Sequence, residues 1–201
     1  MKKIALLSLW FTLTCFQQLL ADPLPIGSKM PMADVKMLSI KGKEVSMKDM
    51  LDKNGVLVIF SCNTCPYVIK NEKRIKDITA YAMKNGFGVI VLNSNEAQRG
   101  DVDSYDAMKA YAKKQKYNFN YVIDKNHAVA DAFDAKRTPE CFLFNKDLTL
   151  VYHGAIDDSP ADAAAVKRIH LKEAINECAA GIAVSVQESK SIGCTIKRLK
   201  S

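Results

Sequence analysis

No stretch rich in proline, glycine and serine divides this chain, and its 201 residues include only 9 glycines and 6 prolines. That excludes a flexible linker between modules and a low-complexity organisation. No segment repeats at a fixed period, which excludes a solenoid or a propeller. Beyond the first 21 residues, no apolar run approaches the ~20 residues of a membrane-spanning helix. No glycine-rich phosphate loop follows the first strand-like run, so a doubly wound nucleotide fold is excluded as well. Histidine is scarce, and His127, His153 and His170 stand apart from one another. What is present, 48% hydrophobic and 25% charged, fits one compact domain spanning residues 22–201.

The first 21 residues read as a secretory signal. Lys2 and Lys3 form a basic start, Ile4 to Phe16 an apolar stretch, and Leu19-Leu20-Ala21 the cleavage region, with Ala21 the last residue removed. The expected location is therefore extracytoplasmic, the periplasm in a Gram-negative cell, with no membrane span in the mature chain. Of six cysteines, Cys15 leaves with the signal, and Cys62, Cys65, Cys141, Cys178 and Cys194 remain. An odd number of thiols in an oxidising compartment leaves one outside any internal pair. The formal charge of +7 loses two with Lys2 and Lys3, and the rest is spread along the chain. Lys70, Lys73, Arg74 and Lys76 fall on one expected helix, and Lys109, Lys113, Lys114 and Lys116 on another. Solvated helix faces explain both clusters. Neither carries the interleaved aromatic residues that single-stranded nucleic acid requires, so no nucleic-acid partner is expected.

Periodicity gives the order of elements. Residues 33–40 and 43–45 form a hairpin around Lys41-Gly42-Lys43, and Ser46 caps a brief helix to Leu51. Val56–Phe60 is a buried strand after the Asn54-Gly55 turn. A helix over about 64–83 puts Val68, Ile75, Ile78 and Ala82 on one face and stops at Asn85-Gly86. Gly88–Asn93 is a strand, Asp101 to Lys116 an amphipathic helix, Asn120–Ile123 a strand, and His127 to Phe133 a short helix. Cys141–Phe144 turns at Asn145-Lys146-Asp147 into Leu148–Tyr152. A last helix covers about 162–180, and the tail beyond Gly181 has no assignment. This order predicts an α/β fold, a mixed sheet with helices on both faces and an N-terminal hairpin extension.

The chemistry centres on Ser61-Cys62-Asn63-Thr64-Cys65-Pro66, at a strand-to-helix junction. Cys62 is expected at the positive end of the helix dipole, where free amides favour a thiolate, with Cys65 one turn further in. A structural disulfide is a competing reading, but so small a loop constrains the unfolded chain little. Half a zinc site is another, and it lacks a second ligand pair, so no metal is expected. A redox pair is preferred. Thr138-Pro139, just before a buried strand, is where a cis peptide bond can be held, with Thr138 offering its backbone to a substrate; an ordinary strand-entry proline is the alternative.

These features together resemble the thioredoxin superfamily, and more closely its peroxiredoxin-like (redoxin, AhpC/TSA-related) branch of exported bacterial proteins. The resemblance is carried by Phe60 to Val68, Leu92-Asn93-Ser94-Asn95, Thr138-Pro139-Glu140, Tyr152 to Asp158, and Ile192 to Lys197. It implies a thioredoxin fold without a cofactor, with Cys62 as attacking thiol, Cys65 as its partner, and Thr138 and the cis-proline Pro139 beside the substrate. Thiols or disulfides of proteins or small molecules, and a membrane or periplasmic electron donor, are the partners implied. This chain departs from its relatives in having Thr64 where they often carry His. It also has no acid in Val56–Phe60, which leaves Glu72 or water to move the Cys65 proton.

A peroxidase would need a Pro-x-x-x-Thr/Ser-x-x-Cys frame. For Cys62 the frame positions are Gly55 and Ile59, and for Cys65 they are Val58 and Cys62. Both fail, so thiol–disulfide exchange ranks above thiol-dependent peroxidase, with a non-catalytic metal- or partner-binding module third. Cys141 and Cys178 are expected to be buried and inert, and Cys194 is an additional redox-thiol candidate. Asp157-Asp158-Ser159-Pro160 has the composition of a calcium loop, although turn and capping duty is the commoner use.

Overall fold

The computed structural model describes residues 24–200; the expected signal segment 1–21, with Cys15, lies outside the described residues. The chain enters through a hairpin of β1 (Met37–Leu38) and β2 (Glu44–Val45). A single 3-10 turn at Lys48–Met50 follows, where Ser46 Oγ accepts from the Asp49 amide and Asp49 Oδ2 from the Ser46 amide. Next come β3 (Gly55–Ser61), α1 (Pro66–Lys84), β4 (Phe87–Asn93), α2 (Tyr105–Gln115), β5 (Asn120–Ile123) and α3 (Ala128–Ala132). The second half holds β6 (Arg137–Thr138), β7 (Glu140–Asn145), β8 (Leu150–Gly154), α4 (His170–Ala179) and β9 (Cys194–Thr195).

Five strands form the central sheet in the order β5-β4-β3-β7-β8. β3 runs parallel to β4, and β4 parallel to β5, whereas β7 is antiparallel to both β3 and β8. Alternation along β3 divides the core into two layers. Leu57 and Ile59 face α1, α2 and α4 through Val68, Ile75, Met108, Ala112, Leu171 and Ile175. Val56, Val58 and Phe60 face α3 and the N-terminal segment, through Val129, Phe133, Met30, Met37 and Met47. The mixed sheet covered on both faces, with its N-terminal hairpin, is the expected thioredoxin fold. Among the described residues, no helix is long and apolar enough to cross a membrane.

Three local expectations differ from what is found. The helix expected from Asp101 starts at Tyr105, because Asp103 turns inward and Ser104 caps the helix by accepting from the Ala107 amide. The helix expected over 162–180 is a 3-10 turn at Ala163–Ala165, an interruption, and then α4. In the interruption, the Lys167 amide donates to Asp158 Oδ1 and the Arg168 carbonyl accepts from the Asp158 amide, so neither group is free for a helical ladder. Arg74 is not on a solvated face. It binds both carboxylate oxygens of buried Asp157 and the carbonyls of Ser159 and Pro160, giving that loop a structural use.

The lower layer is anchored by aromatic packing. Phe133 meets Phe60, Phe142 and Phe144 edge-on, with ring centroids 5.5, 5.1 and 5.6 Å apart. Phe133→Ala is expected to destabilise the protein by about 3–5 kcal/mol in urea denaturation. A loss of under about 1 kcal/mol would show that the rings are not packed as described.

Candidate active site

β3 ends at Ser61 and α1 begins at Pro66, and the four residues between them carry both thiols of the motif. Cys65, with extended backbone, is the N-cap of α1, and Pro66 suits the first helical position because its missing N–H would have no partner there. Cys62 therefore lies in the loop ahead of the helix, and Cys65 rather than Cys62 takes the dipole's positive end. This corrects the expected placement by one turn. Both residues are nearly closed off, 2% and 3% exposed. Cys65 lies between exposed Thr64 and exposed Pro66, whereas Cys62 lies between buried Ser61 and buried Asn63. Neither residue is open to solvent.

Thr138 and Pro139 are joined by a cis peptide bond, as expected. The Thr138 carbonyl lies 3.2 Å from Cys65 Sγ, and its hydroxyl 3.6 Å from Cys62 Sγ. Glu140 fixes the approach to this step. Its Oε2 accepts from the amides of Lys136 and Arg137, at 2.7 and 2.8 Å, while its Oε1 pairs with His153 Nε2 at 2.8 Å. His153 in turn stacks on Phe142, which belongs to the sheet. The edge expected to receive a substrate is occupied by the protein's own tail. β9 pairs antiparallel with β6, Thr138 opposite Cys194 and Arg137 opposite Thr195. Gly193 makes this approach possible, since a methyl group there would meet the Thr138 carbonyl oxygen at 2.1 Å.

Beneath Cys62 lies a polar web that sequence reasoning missed. Fully buried Asp103 accepts from the Asn63 amide (3.0 Å), from Asn93 Nδ2 (2.7 Å) and from Asn95 Nδ2 (2.9 Å). The Tyr121 hydroxyl donates to Asn63 Oδ1, and Asn63 Nδ2 to the Val102 carbonyl. A buried carboxylate needs such donors, and here they fasten the Cys62 loop to β4 and β5. The only forewarning was the Leu92-Asn93-Ser94-Asn95 match. Glu72, the acid considered for proton transfer, receives hydrogen bonds from Tyr111 and Tyr117 instead, and burial pushes its carboxyl pKa up.

All five described cysteines are free thiols. Cys62 and Cys65 titrate as a linked pair. The Cys62 thiol donates to the Cys65 sulfur, which holds Cys65 well below the ordinary thiol range against the penalty of burial, helped by the Cys194 thiol and the Val68 amide. The same bond to Cys65, together with burial, holds Cys62 well above that range. The first ionisation belongs to the pair rather than to either sulfur alone. When Cys65 is itself protonated, the Thr138 carbonyl is its acceptor. Cys141, on β7, is fully buried and burial raises its pKa, so it is inert as expected. Cys178 is only partly buried, at the core margin, and burial raises it too. Cys194 joins Cys65. Among the described residues, no three His, Cys, Asp or Glu side chains are arranged to hold a metal ion.

Comparison with known proteins agrees with this geometry. The family model described as Redoxin matches residues 25–168. The crystal structure of an uncharacterized conserved protein from Geobacillus kaustophilus is similar at 31% identity and a TM-score of 0.81, covering 89% of this chain and 94% of that one. A hypothetical protein from Sinorhizobium meliloti is similar at 28% identity and a TM-score of 0.80, covering 90% and 98%. A Cys-to-Ser mutant of PrxQ from Xylella fastidiosa shares the fold at 15% identity and a TM-score of 0.58, covering 80% and 98%. No functionally curated protein compared with the chain matches it.

Linked titration predicts an unusual pH profile. An isolated thiol loses alkylation rate about tenfold per pH unit below a pKa of about 8.5. The reduced wild-type protein is expected to hold its iodoacetamide rate well below that pH, and Cys62→Ala to shift the profile upward by removing the donor. A wild-type midpoint at the ordinary thiol value would contradict the linkage.

Proposed function

The chain belongs to the redoxin family, and from that premise we propose that this oxidoreductase of thioredoxin fold is an exported thiol–disulfide oxidoreductase working through Cys62 and Cys65. The observation that supports this most is the geometry of the pair: Cys65 at the N-cap of α1 and Cys62 three residues before it, both against Thr138 at the cis bond to Pro139. In the reducing direction the Cys65 thiolate attacks one sulfur of a substrate disulfide. The substrate S–S bond breaks, and its other sulfur leaves with the electron pair as a thiolate, taking up a proton. Cys62 then loses its proton and attacks Cys65 Sγ, which closes the Cys62–Cys65 disulfide and releases the second substrate thiol. The oxidising direction runs through the same atoms in reverse. The family resemblance gives the attacking role to Cys62; the place of Cys65 at the N-cap of α1 favours Cys65.

Thr138 is suited to both steps. Its hydroxyl can donate to or accept from Cys62, and its carbonyl accepts from Cys65 while Cys65 is protonated. The Thr138-Pro139 wall is offered to a substrate peptide when β9 moves aside. Asp103 is a positioning residue, since its oxygens are taken by Asn63, Asn93 and Asn95. The implied partners are thiols or disulfides of proteins or small molecules, together with a membrane or periplasmic electron donor.

A thiol-dependent peroxidase is the second reading, favoured by the same thiolate at a helix N-terminus. Against it, Cys62 stands where the peroxidase frame places a hydroxyl. Peroxide consumption by the reduced protein no faster than by free cysteine removes that reading.

Two outcomes test the main proposal. In Cys62→Ser/Cys194→Ser, which leaves no thiol beside Cys65, a mixed disulfide on Cys65 is expected to accumulate with oxidised glutathione, read by intact mass. In Cys65→Ser no comparable species is expected on Cys62. Equal trapping in the two would overturn the roles, and a wild-type protein that forms no Cys62–Cys65 disulfide in any glutathione buffer would overturn the function. Export is tested separately: the mature protein from the envelope should begin at Asp22, and an intact Met1 in a cytosolic fraction would refute it.

A further inference from the structure

The tail puts a third sulfur against the pair. Cys194 lies opposite Thr138 in the β6–β9 ladder, and the Thr138 carbonyl is 3.2 Å from Cys65 Sγ. Cys194 packs against the core cluster that contains both Cys62 and Cys65. Unlike them, it is partly exposed. Its placement is fixed on both sides. Gly193 lies tight on the Thr138 carbonyl, and downstream the Ile196 amide donates to the Lys136 carbonyl and the Lys197 amide to Asn95 Oδ1. Asn95 also donates to Asp103, so the web that seats Cys62 also seats the tail. Cys194 lies beyond the segment matched by the family model, which ends at residue 168.

The three cysteines thus lie together, Cys62 and Cys65 nearly closed off and Cys194 partly exposed beside them. We infer that Cys194 is the outer member of a three-thiol relay, exchanging with Cys65 to carry the disulfide between the buried pair and a thiol partner outside. This rests on the proposed dithiol exchange and names how the pair meets that partner. In the step, Cys194 loses its proton to solvent and its thiolate attacks Cys65 Sγ of the Cys62–Cys65 disulfide. A Cys65–Cys194 bond forms, the Cys62–Cys65 bond breaks, and its electron pair leaves on Cys62, which takes up a proton. Net oxidation state is unchanged, so no added oxidant or reductant is needed. An external thiol then attacks the exposed Cys194 sulfur, and a second thiol releases the protein fully reduced. Burial, with the hydrogen bond to Cys65, holds the Cys194 thiol above its ordinary value, and the positive charge of Lys197 offsets part of that.

The bond also has a mechanical effect. While Cys65–Cys194 is closed, β9 is fastened over the Thr138-Pro139 edge; while Cys62–Cys65 is closed, the tail is held by hydrogen bonds alone. The relay therefore ties access at that edge to the location of the disulfide.

Disulfide mapping tests the relay directly. Cys62 and Cys65 share the tryptic peptide 54–70, whereas Cys194 lies on 191–197. Full-length protein is oxidised in a glutathione buffer, quenched with acid, alkylated and digested. Wild type is expected to give both the internally bridged 54–70 peptide and a 54–70/191–197 cross-link with Cys62 alkylated. Cys62→Ser should give the cross-link as its only internal disulfide. Cys194→Ser should retain the Cys62–Cys65 bridge and lose the cross-link. Near-ultraviolet circular dichroism of the reduced variants confirms that each is folded. Absence of the cross-link from folded, oxidised Cys62→Ser overturns the relay and leaves the proposed function intact. Absence of the Cys62–Cys65 bridge from Cys194→Ser overturns the proposed function itself.

Discussion

One residue, Thr138, meets all three cysteines of the site. Its hydroxyl faces Cys62, its carbonyl faces Cys65, and its backbone pairs with Cys194. Three thiols from two distant parts of the sequence are thereby referred to a single fixed point. The point is fixed because the cis step at Pro139 is braced from beneath, with Glu140 holding the two preceding amides and His153 holding Glu140. A net hydrogen bond contributes only about 1 kcal/mol, but a buried donor left without a partner costs about 1–3 kcal/mol. The brace is therefore kept mainly by the penalty for breaking it. That argument applies with more force to Asp103, a carboxylate with no exposed surface and three side-chain or backbone donors on its oxygens.

The site joins a rigid side to a movable one. α1 and β3 supply Cys62 and Cys65 from the heart of the sheet, where neighbouring strands are buried on both faces. The tail supplies Cys194 through a ladder of only two residues on each strand. Thiol exchange requires the attacking sulfur to line up with the bond it breaks. A rigid acceptor beside a nucleophile held by so short a ladder meets that requirement without deforming the core. Cys65 is the sulfur that belongs to both of the proposed disulfides.

Much of the fold was legible in the sequence because its signals are local. The apolar run Val56–Phe60, the turn Asn54-Gly55 and the Asn120–Ile123 strand need no knowledge of distant contacts. The CxxC at a strand-to-helix junction and the Thr138-Pro139 step were equally legible, since their spacing and neighbours carry the signal. What was not legible depends on pairing across the chain. Asp103 reads as a residue of a helix start until Asn63, Asn93 and Asn95 are known to surround it. Lys167 and Arg168 read as helical until Asp158 takes their backbone groups. The tail after Gly181 has no periodicity of its own. Residues 187–189 lie along the end of β8, and Cys194-Thr195 along β6, so both are ordered by edges they do not encode. The misplacement of Cys62 relative to the helix has a simpler cause: Pro66 fixes the first turn, and the cap is the residue before it.

The shortness of β9 has a thermodynamic consequence. Protein segments open independently of global unfolding when few buried contacts and few ladder hydrogen bonds hold them. A strand of two residues is closer to that class than β3 and β7 are, although Ile196 beside it is buried. Opening of the tail alone, with no domain motion, would make the nearly sealed sulfurs of Cys62 and Cys65 reachable. Their accessibility would then be an equilibrium between tail-on and tail-off forms of one folded protein. Whatever biases that equilibrium, whether a bond, a bound peptide or a change of charge near Lys197, sets how often the site is open to exchange.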